Sequence, residues 1–237
     1  MDKFKALIFD CDGVLAETEA DGHRVAFNQV FSEEQLGVQW DVETYGEKLK
    51  IAGGKERMRT LFTGTPVKQV ADVDAYIKKL HKRKTELYME LIEKGQLPAR
   101  SGVKRLSEEA HQQGIKLAIA STSNIRGVTL IARHVLGDAF NYFDVILAGD
   151  IVSRKKPDPE IYLLAAQKLD VGPADCCVIE DTDNGLRAAK AAGMKCIVTR
   201  SYYSRGESFP DAELVVDSLD QQDMHVTVHH INSFFKP

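Results

Sequence analysis

The 237-residue sequence predicts an α/β fold, in which helices cover both faces of a parallel sheet and one all-helical segment is inserted early in the chain. Two observations lead to this prediction. Short apolar runs alternate with helical patterns along most of the chain, which is typical of buried parallel strands joined by crossover helices. Residues 17–94, in contrast, contain several helical patterns and no convincing strand.

The predicted strands are short apolar runs bounded by polar or turn residues. They span 5–10, 116–121, 144–147, 176–180 and 195–199. Apolar residues at helical spacing predict the crossover helices, at 103–113, 125–136, 159–169 and 184–192. Gly193 directly follows the last of these, and a glycine at that place commonly ends a helix.

The all-helical segment is predicted to be a domain of its own. Its longest part, residues 67–94, is amphipathic, and glycine-containing turns at 53–54 and 63–66 divide the segment internally. The expected division is therefore a core made of residues 1–15 and 96–237, interrupted by a helical domain at 16–95.

The composition excludes several classes of function. With 31 basic and 35 acidic residues the formal net charge is -4, so no broad positive field is available for nucleic acid or an anionic membrane. A small, diffusible substrate fits better. The four cysteines lack C-x-x-C spacing, and no apolar stretch approaches membrane-spanning length. We expect a cytoplasmic protein, either a monomer or a weak homo-oligomer.

The most specific motif combines two aspartates with the end of the first strand. Asp10 and Asp12 are two residues apart, so the alternation of a strand sends both side chains the same way, and Gly13 supplies a turn. Two carboxylates aimed at one point repel each other, so a divalent cation or a shared proton is expected there. Alone, such a pair is more often a turn feature.

Three further groups suit a phosphoryl ligand at the same edge of the sheet. Glu180 and Asp181 end another strand and offer hard oxygen ligands for Mg²⁺, of which Asp181 is the better placed. Ser121 and Thr122 lie where a strand meets a helix, and Ser121 could instead cap that helix. Lys156 stands before a proline and supplies an ammonium group, with Lys155 as its rival.

In their order along the chain, D-x-D-G, the strand-end Ser/Thr, K-P-x-P and E-D-x-x-x-G resemble the four motifs of the haloacid dehalogenase (HAD) superfamily. The resemblance implies a HAD-like Rossmannoid core. The helical insert is similar to the cap of the subfamily that holds β-phosphoglucomutases and sugar phosphatases. Residues 16–19, 53–57 and 84–86 resemble, more closely, the cap of xylulose-1,5-bisphosphate phosphatases.

The resemblance also implies a mechanism. Asp10 would attack phosphorus, and Asp12 would protonate the leaving oxygen and then activate water. Ser121 and Lys156 would bind the phosphoryl oxygens. Mg²⁺ would be held by Asp10, Asp181 and the backbone carbonyl of Asp12, with Glu180 beside them.

Substrate choice is assigned to the insert. Lys55, Arg57 and Lys84 would hold a second phosphate, although charged residues of this kind more simply form a solvated helix face. Glu17 would bind sugar hydroxyls, and Thr122 could share the phosphate contact. Relatives commonly place a histidine four residues after the equivalent of Thr18, whereas His23 comes five residues after it.

Two other functions remain open at this point. A phosphomutase of the β-phosphoglucomutase kind would use the same motifs and return phosphate to the sugar. A catalytically silent binding or regulatory protein could share the fold, although the intact acidic motifs argue against it. The histidines of residues 224–230 alternate like a surface strand and are assigned no chemistry.

Overall fold

The computed structural model describes residues 4–51 and 53–235. The chain forms two compact units, which are Met1–Glu17 with Pro98–Pro237 and, separately, Thr18–Leu97. Both joints between the units fall two residues later than the sequence predicted. That the second unit is a cap remains a prediction.

The first unit contains a parallel sheet, as predicted, and the sheet has six strands where the sequence predicted five. Its spatial order is β3-β2-β1-β4-β5-β6, and a two-stranded antiparallel ribbon, β7 with β8, lies near the chain end. Apart from Lys116 at the start of β2, the central strands are buried along their length, as expected for a parallel sheet covered on both faces. The strands are β1 (Ala6–Phe9), β2 (Lys116–Ala120), β3 (Val145–Leu147), β4 (Cys176–Glu180), β5 (Lys195–Thr199), β6 (Leu214–Val216), β7 (Asp220–Gln221) and β8 (Met224–His225).

The helices of the described residues fall into two groups. The second unit holds α1 (Arg24–Glu33), α2 (Val42–Leu49), α3 (Gly54–Arg59) and α4 (Val73–Glu93). The first unit holds α5 (Val103–Gln112), α6 (Ile125–Leu136), α7 (Glu160–Leu169), α8 (Asp183–Ala191) and α9 (Val228–Ser233). None of these helices combines the length and apolarity needed to cross a bilayer.

The order of the strands determines where a ligand can bind. Strand β1 lies between β2 and β4, and the chain leaves β1 for one side of the sheet and later returns to build the other. In open parallel sheets, ligands bind in the crevice at the carboxyl ends of the strands where the order reverses in this way. The residues that follow β1, β2 and β4 therefore meet at this crevice.

One predicted element is wrong, and strands β6 and β7 and helix α9 were not foreseen. The histidines at residues 224–230 do not form one surface strand: only Met224–His225 is extended, and Val228–Ser233 is helical. Thr227 causes this change, because its side chain caps the helix by accepting a hydrogen bond from the backbone N–H of His230 at 3.2 Å. Strands β6, β7 and β8 are only two or three residues long, too short for a periodic pattern.

The second unit has an aromatic core. Trp40 packs against Phe27 and Phe31 with ring centroids 5.1 and 4.8 Å apart, and Tyr45 lies 5.8 Å from Phe27. Each of these four side chains is at most 2% exposed. Burial of large aromatic groups stabilises a small unit strongly, since each one removes about 150–250 Å² from water.

A π-helical turn precedes α1 and covers Thr18–His23. A π-helix closes its hydrogen bonds over five residues where an α-helix uses four, so the turn accommodates one extra residue. This explains why His23 stands five residues after Thr18 in the sequence. Gly22 lets Tyr88 pack closely against the turn, because a Cβ at position 22 would lie 2.7 Å from the Tyr88 ring.

Candidate active site

Asp10 directly follows β1 and is 7% exposed. Its Oδ1 accepts a hydrogen bond from the Lys156 ammonium at 2.5 Å. Burial raises the pKa of Asp10 to about 8; Lys156 opposes this shift, whereas the charges of Glu180 and Asp12 add to it. The carboxylate form of Asp10 therefore needs more positive charge than one lysine supplies.

Glu180 ends β4 and is fully hydrogen-bonded. Its Oε1 accepts from Lys156 at 2.6 Å and from the Tyr162 hydroxyl at 2.5 Å, and its Oε2 accepts from the backbone N–H of Asp181 at 3.0 Å. Burial alone would raise the pKa of Glu180, but Lys156 and these hydrogen bonds hold it below its usual range. Glu180 thus orients Lys156 in addition to lying beside the acidic residues.

The glycine of the E-D-x-x-x-G motif makes room for this carboxylate. A Cβ at position 185, in the first turn of α8, would lie 1.9 Å from the carboxyl carbon of Glu180. The spacing between Glu180 and Gly185 in the sequence therefore follows from the close approach of α8 to the end of β4.

Asp181 is buried at the start of the next turn and packs against the loop that follows β1. A Cβ on Gly13 would lie 2.0 Å from Asp181 Oδ2, and Gly13 has a φ of 73°. Burial raises the pKa of Asp181 well above its usual range, and Glu180 and Asp10 raise it further, against a hydrogen bond from Ser201. Gly13 is thus required by backbone conformation and by the proximity of Asp181.

Three of the predicted metal ligands converge. Asp10, Glu180 and Asp181 each offer a carboxylate oxygen, and these oxygens lie within 4.8 Å of one another. All three side chains are buried, and Lys156 is the ammonium that contacts two of them. One positive charge among three carboxylates leaves an excess of negative charge, and the set consists of hard oxygen donors, so these residues fit a divalent cation.

Asp12 lies on the more open side of this group. It is half-buried, and its Oδ2 accepts a hydrogen bond from the Ser123 hydroxyl. The carboxyl is thereby fixed beside the turn that follows β2. The Ser123 hydroxyl is the donor in this contact, so Ser123 acts on Asp12.

Ser121 and Thr122 begin the turn after β2. Ser121 is 1% exposed, and its Oγ accepts the backbone N–H of Ser123 at 3.1 Å. The adjacent Ala120 carbonyl accepts from Lys156 at 3.2 Å, so the end of β2 lies next to the lysine. Asn124 caps α6, which removes helix capping as the reason for Ser121. Thr122 is half-buried in the same turn.

Glu17 lies in the first unit, at the end of the segment that leaves β1. Its Oε1 accepts from Arg100 Nη1 at 2.9 Å and from the Tyr202 backbone N–H at 3.2 Å. No motif in the sequence indicates Arg100 as a functional residue. Its contacts join parts of the chain that are far apart in sequence, which no local pattern can reveal.

In the second unit, Lys84 is 7% exposed in the middle of α4. Its Nζ lies 2.8 Å from Nδ1 of His23 and 4.8 Å from the ring centroid of Phe27. Burial lowers the pKa of Lys84 to about 8; Glu19 opposes the shift and Arg57 adds to it. The π turn thus brings His23 to a predicted substrate residue.

Arg57 and Lys55 belong to α3 and lie in the same positive cluster. Arg57 Nη1 donates to the Tyr45 hydroxyl at 3.2 Å, which in turn donates to Glu19 at 2.6 Å. Lys55 is exposed. Burial lowers the pKa of His81, and the charges of Lys84 and Lys55 lower it further. The second unit therefore brings Lys55, Arg57 and Lys84 together, as well as His81, which the sequence did not single out.

The fold and the site define a class of enzyme. Residues 4–193 match the family model described as haloacid dehalogenase-like hydrolase, and the chain belongs to this family. A buried acidic group at the switch point of a parallel sheet accords with it. The protein is a phosphatase of the HAD family, as its sequence motifs predicted.

Similar proteins indicate which part of the HAD family this chain resembles. The chain is 52% identical over 219 residues to the CBBY-like protein of Arabidopsis thaliana, covering 90% of this chain and 69% of that protein. It is 43% identical over 222 residues to protein CbbY of Cereibacter sphaeroides, covering 91% and 92% of the two. The crystal structure of CbbY (mutant D10N) from Rhodobacter sphaeroides in complex with xylulose-(1,5)bisphosphate superposes with a TM-score of 0.73 at 41% identity, covering 91% of this chain and 94% of that one.

Proposed function

We propose that this protein is a Mg²⁺-dependent phosphatase that hydrolyses a small sugar bisphosphate, such as xylulose 1,5-bisphosphate, through an aspartyl-phosphate on Asp10. The observation that carries the proposal is the position of Asp10. Its carboxylate lies at the carboxyl end of β1, 2.5 Å from Lys156 and within one group with Glu180 and Asp181. A carboxylate in this setting is both a nucleophile and a cation ligand.

In the first step, an oxygen of Asp10 attacks phosphorus in line, and the bond from phosphorus to the sugar oxygen breaks. The electron pair of that bond stays on the sugar oxygen, which takes a proton from Asp12. Ser121 and Lys156 donate hydrogen bonds to the phosphoryl oxygens, which carry the developing negative charge. Glu180 and Tyr162 keep the Lys156 ammonium in position.

In the second step, Asp12 takes a proton from water, and the water oxygen attacks the phosphorus of the aspartyl-phosphate. The bond between phosphorus and Asp10 breaks and releases inorganic phosphate. The hydrogen bond from Ser123 to Asp12 supports this reading, since it fixes the carboxyl in one orientation for both proton transfers.

Magnesium, held by Asp10, Asp181 and the Asp12 carbonyl with Glu180 beside them, would neutralise charge on the phosphoryl oxygens. The excess of buried carboxylate over ammonium in this group supports the assignment.

The second phosphate of the substrate is assigned to the positive cluster of the second unit. Lys84 and Arg57 carry two positive charges near one another and near Lys55. Glu17 and Thr122 are proposed to bind the sugar and the transferred phosphate. The CbbY complex with xylulose-(1,5)bisphosphate supports a bisphosphate. The cytoplasmic location and the monomeric or weakly associated state remain predictions.

A phosphate-release screen tests this function directly. With Mg²⁺, we expect kcat/KM for pentulose and hexose bisphosphates to exceed that for the matching monophosphates by about 10-fold or more, since the second phosphate gains at least one charge-assisted contact. The same screen with EDTA measures the dependence on the cation.

The outcomes of the screen separate the alternatives. Isomerisation of glucose 1-phosphate with little net phosphate release would assign a mutase. No turnover of any phosphate ester with Mg²⁺ would leave only a binding or regulatory role. Equal rates on mono- and bisphosphates would remove the assignment of Lys55, Arg57 and Lys84.

The charge of Lys84 gives a pH-dependent prediction. An anion is bound by the ammonium form, and the pKa of Lys84 in the free protein is about 8. We therefore expect KM for a sugar bisphosphate to rise as the pH increases through 8, while KM for a monophosphate changes less. Lys84→Met should abolish this difference and raise KM for the bisphosphate about 10-fold or more. Steady-state kinetics between pH 6.5 and pH 9 measure both effects.

Lys82→Met is the matched control, since Lys82 is an exposed lysine on the same helix. It should keep the bisphosphate preference and its pH profile. If Lys82→Met and Lys84→Met behave alike, general electrostatic attraction explains the preference, and the specific contact with Lys84 is excluded.

A further inference from the structure

Arg100 makes more contacts than an ordinary surface arginine of the first unit. Its side chain is 9% exposed and donates five hydrogen bonds within that unit. Its acceptors are Gly13 O at 2.6 Å, Glu17 Oε1 at 2.9 Å, Thr199 Oγ1 at 2.9 Å, Arg200 O at 2.7 Å and Asp217 O at 2.9 Å.

We propose that Arg100 is a positioning residue that fixes the Glu17 carboxylate for recognition of sugar hydroxyls, a role that rests on the proposed function. Arg100 Nη1 contacts both Glu17 and the Gly13 carbonyl. Nη2 is tied to three oxygens at the ends of β5 and β6. These contacts of Nη2 hold the planar guanidinium in one orientation. Its other nitrogen, Nη1, therefore points toward Glu17.

The two carboxylate oxygens of Glu17 accept different numbers of hydrogen bonds. Oε1 accepts from Arg100 and from the Tyr202 backbone N–H, whereas Oε2 accepts only the Tyr202 N–H, at 3.2 Å, among the described residues. A carboxylate has about four acceptor sites, so Oε2 keeps capacity for a hydroxyl donor. The Glu17 side chain is 22% exposed, which leaves it accessible to a ligand.

Arg100 also balances the charge of Glu17. Burying a carboxylate without a partner is unfavourable, and the ion pair at 2.9 Å gives the Glu17 carboxylate a positive partner that also fixes its rotamer. An ionised acceptor binds a hydroxyl about twice as strongly as a neutral one. Arg100 thus affects which substrate is recognised, and it acts through Glu17.

The test compares two substrates in Arg100→Lys and Arg100→Met. The ratio of kcat/KM for the sugar bisphosphate to that for p-nitrophenyl phosphate, which has no sugar hydroxyls, should fall about 10-fold in Arg100→Met, the size of one charge-assisted hydrogen bond. Most of the loss should appear in KM for the sugar. Arg100→Lys keeps the charge without the fork, and should recover part of the ratio.

A double-mutant cycle with Glu17→Ala separates positioning from a structural role. In the Glu17→Ala background, Arg100→Lys should leave the substrate ratio unchanged, because the group that it positions is absent. Equal losses on both substrates, or additive effects in the double mutant, would overturn the inference. Should Arg100→Met fail to fold, Arg100→Lys and Glu17→Gln still give this comparison.

Arg105→Met is the control for loss of a half-buried arginine with several contacts, since Arg105 binds Asp220 at 2.7 Å and two carbonyls in the same unit but does not contact Glu17. It should leave the substrate ratio unaltered. If the wild type cleaves p-nitrophenyl phosphate and no sugar phosphate, the proposed function fails; if it cleaves sugars and the ratio resists Arg100 substitution, only this inference fails.

Discussion

Asp10→Asn is expected to reduce turnover of every phosphate ester by at least about 10⁴-fold, because an amide cannot form the acyl phosphate. The fold should be unaffected, since the asparagine oxygen can still accept the hydrogen bond from Lys156. In metal-free buffer the variant should unfold at the same temperature as the wild type or higher, because one of three converging buried carboxylates is neutralised. Steady-state kinetics and thermal unfolding measure these effects.

Asp12→Asn is the matched control for the nucleophile. With p-nitrophenyl phosphate, whose leaving group needs no acid, this variant should still form the phosphoenzyme and then hydrolyse it slowly. We expect a burst of nitrophenol and an acid-stable mass increase of one phosphoryl group on Asp12→Asn, and neither on Asp10→Asn. A burst from Asp10→Asn would show that another residue is the nucleophile.

Lys156→Met should have the second-largest effect, on both stability and rate. Lys156 contacts Asp10 at 2.5 Å and Glu180 at 2.6 Å, and its loss leaves two buried carboxylates without the ammonium that pairs with them. Breaking a buried pair in this way costs about 3–5 kcal/mol, so we expect the metal-free variant to unfold far below the wild type. With Mg²⁺, kcat should fall about 10²–10³-fold, as for loss of one preorganised donor to a developing oxyanion.

Lys155→Met distinguishes this effect from the loss of any lysine in the loop. Lys155 is 55% exposed and pairs with Asp150, which is 92% exposed, so its removal should change stability by less than about 1 kcal/mol. Denaturant unfolding with and without Mg²⁺ compares the two variants. If Lys155→Met destabilises as strongly as Lys156→Met, the contacts of Lys156 with Asp10 and Glu180 are not the cause.

The arrangement of the core could be predicted because its signals are local. Strands β4 and β5 have the predicted bounds, since each contains a run of three or four apolar residues and ends at a charged or polar residue. Helix α4 begins at Val73, later than predicted, because Asp72 caps it by accepting the Ala75 N–H. Strand β6 escaped notice because a three-residue, partly exposed edge strand carries no periodicity.

The acidic group could be predicted for a similar reason. Asp10 and Asp181 each follow a buried strand, and the carboxyl ends of parallel strands meet at one edge. The groups that hold these residues in place could not be predicted. Tyr162 lies in the first turn of α7, and its sequence context suggests an ordinary core residue, yet its hydroxyl donates to Glu180 and its ring centroid lies 4.7 Å from the Lys156 ammonium. Such contacts depend on packing between distant parts of the chain.

The π turn at Thr18–His23 has a consequence for how this part of the chain tolerates change in length. One residue added to an ordinary α-helix rotates everything beyond it by about 100°, which would carry the apolar side of α1 away from the aromatic residues that it packs against. The π turn before α1 absorbs that rotation, so Phe27 and Phe31 stay on the face of the helix that packs against Trp40. Length variation is thereby confined to one turn, and residues 18–23 can change in spacing while the helix that follows them stays in phase.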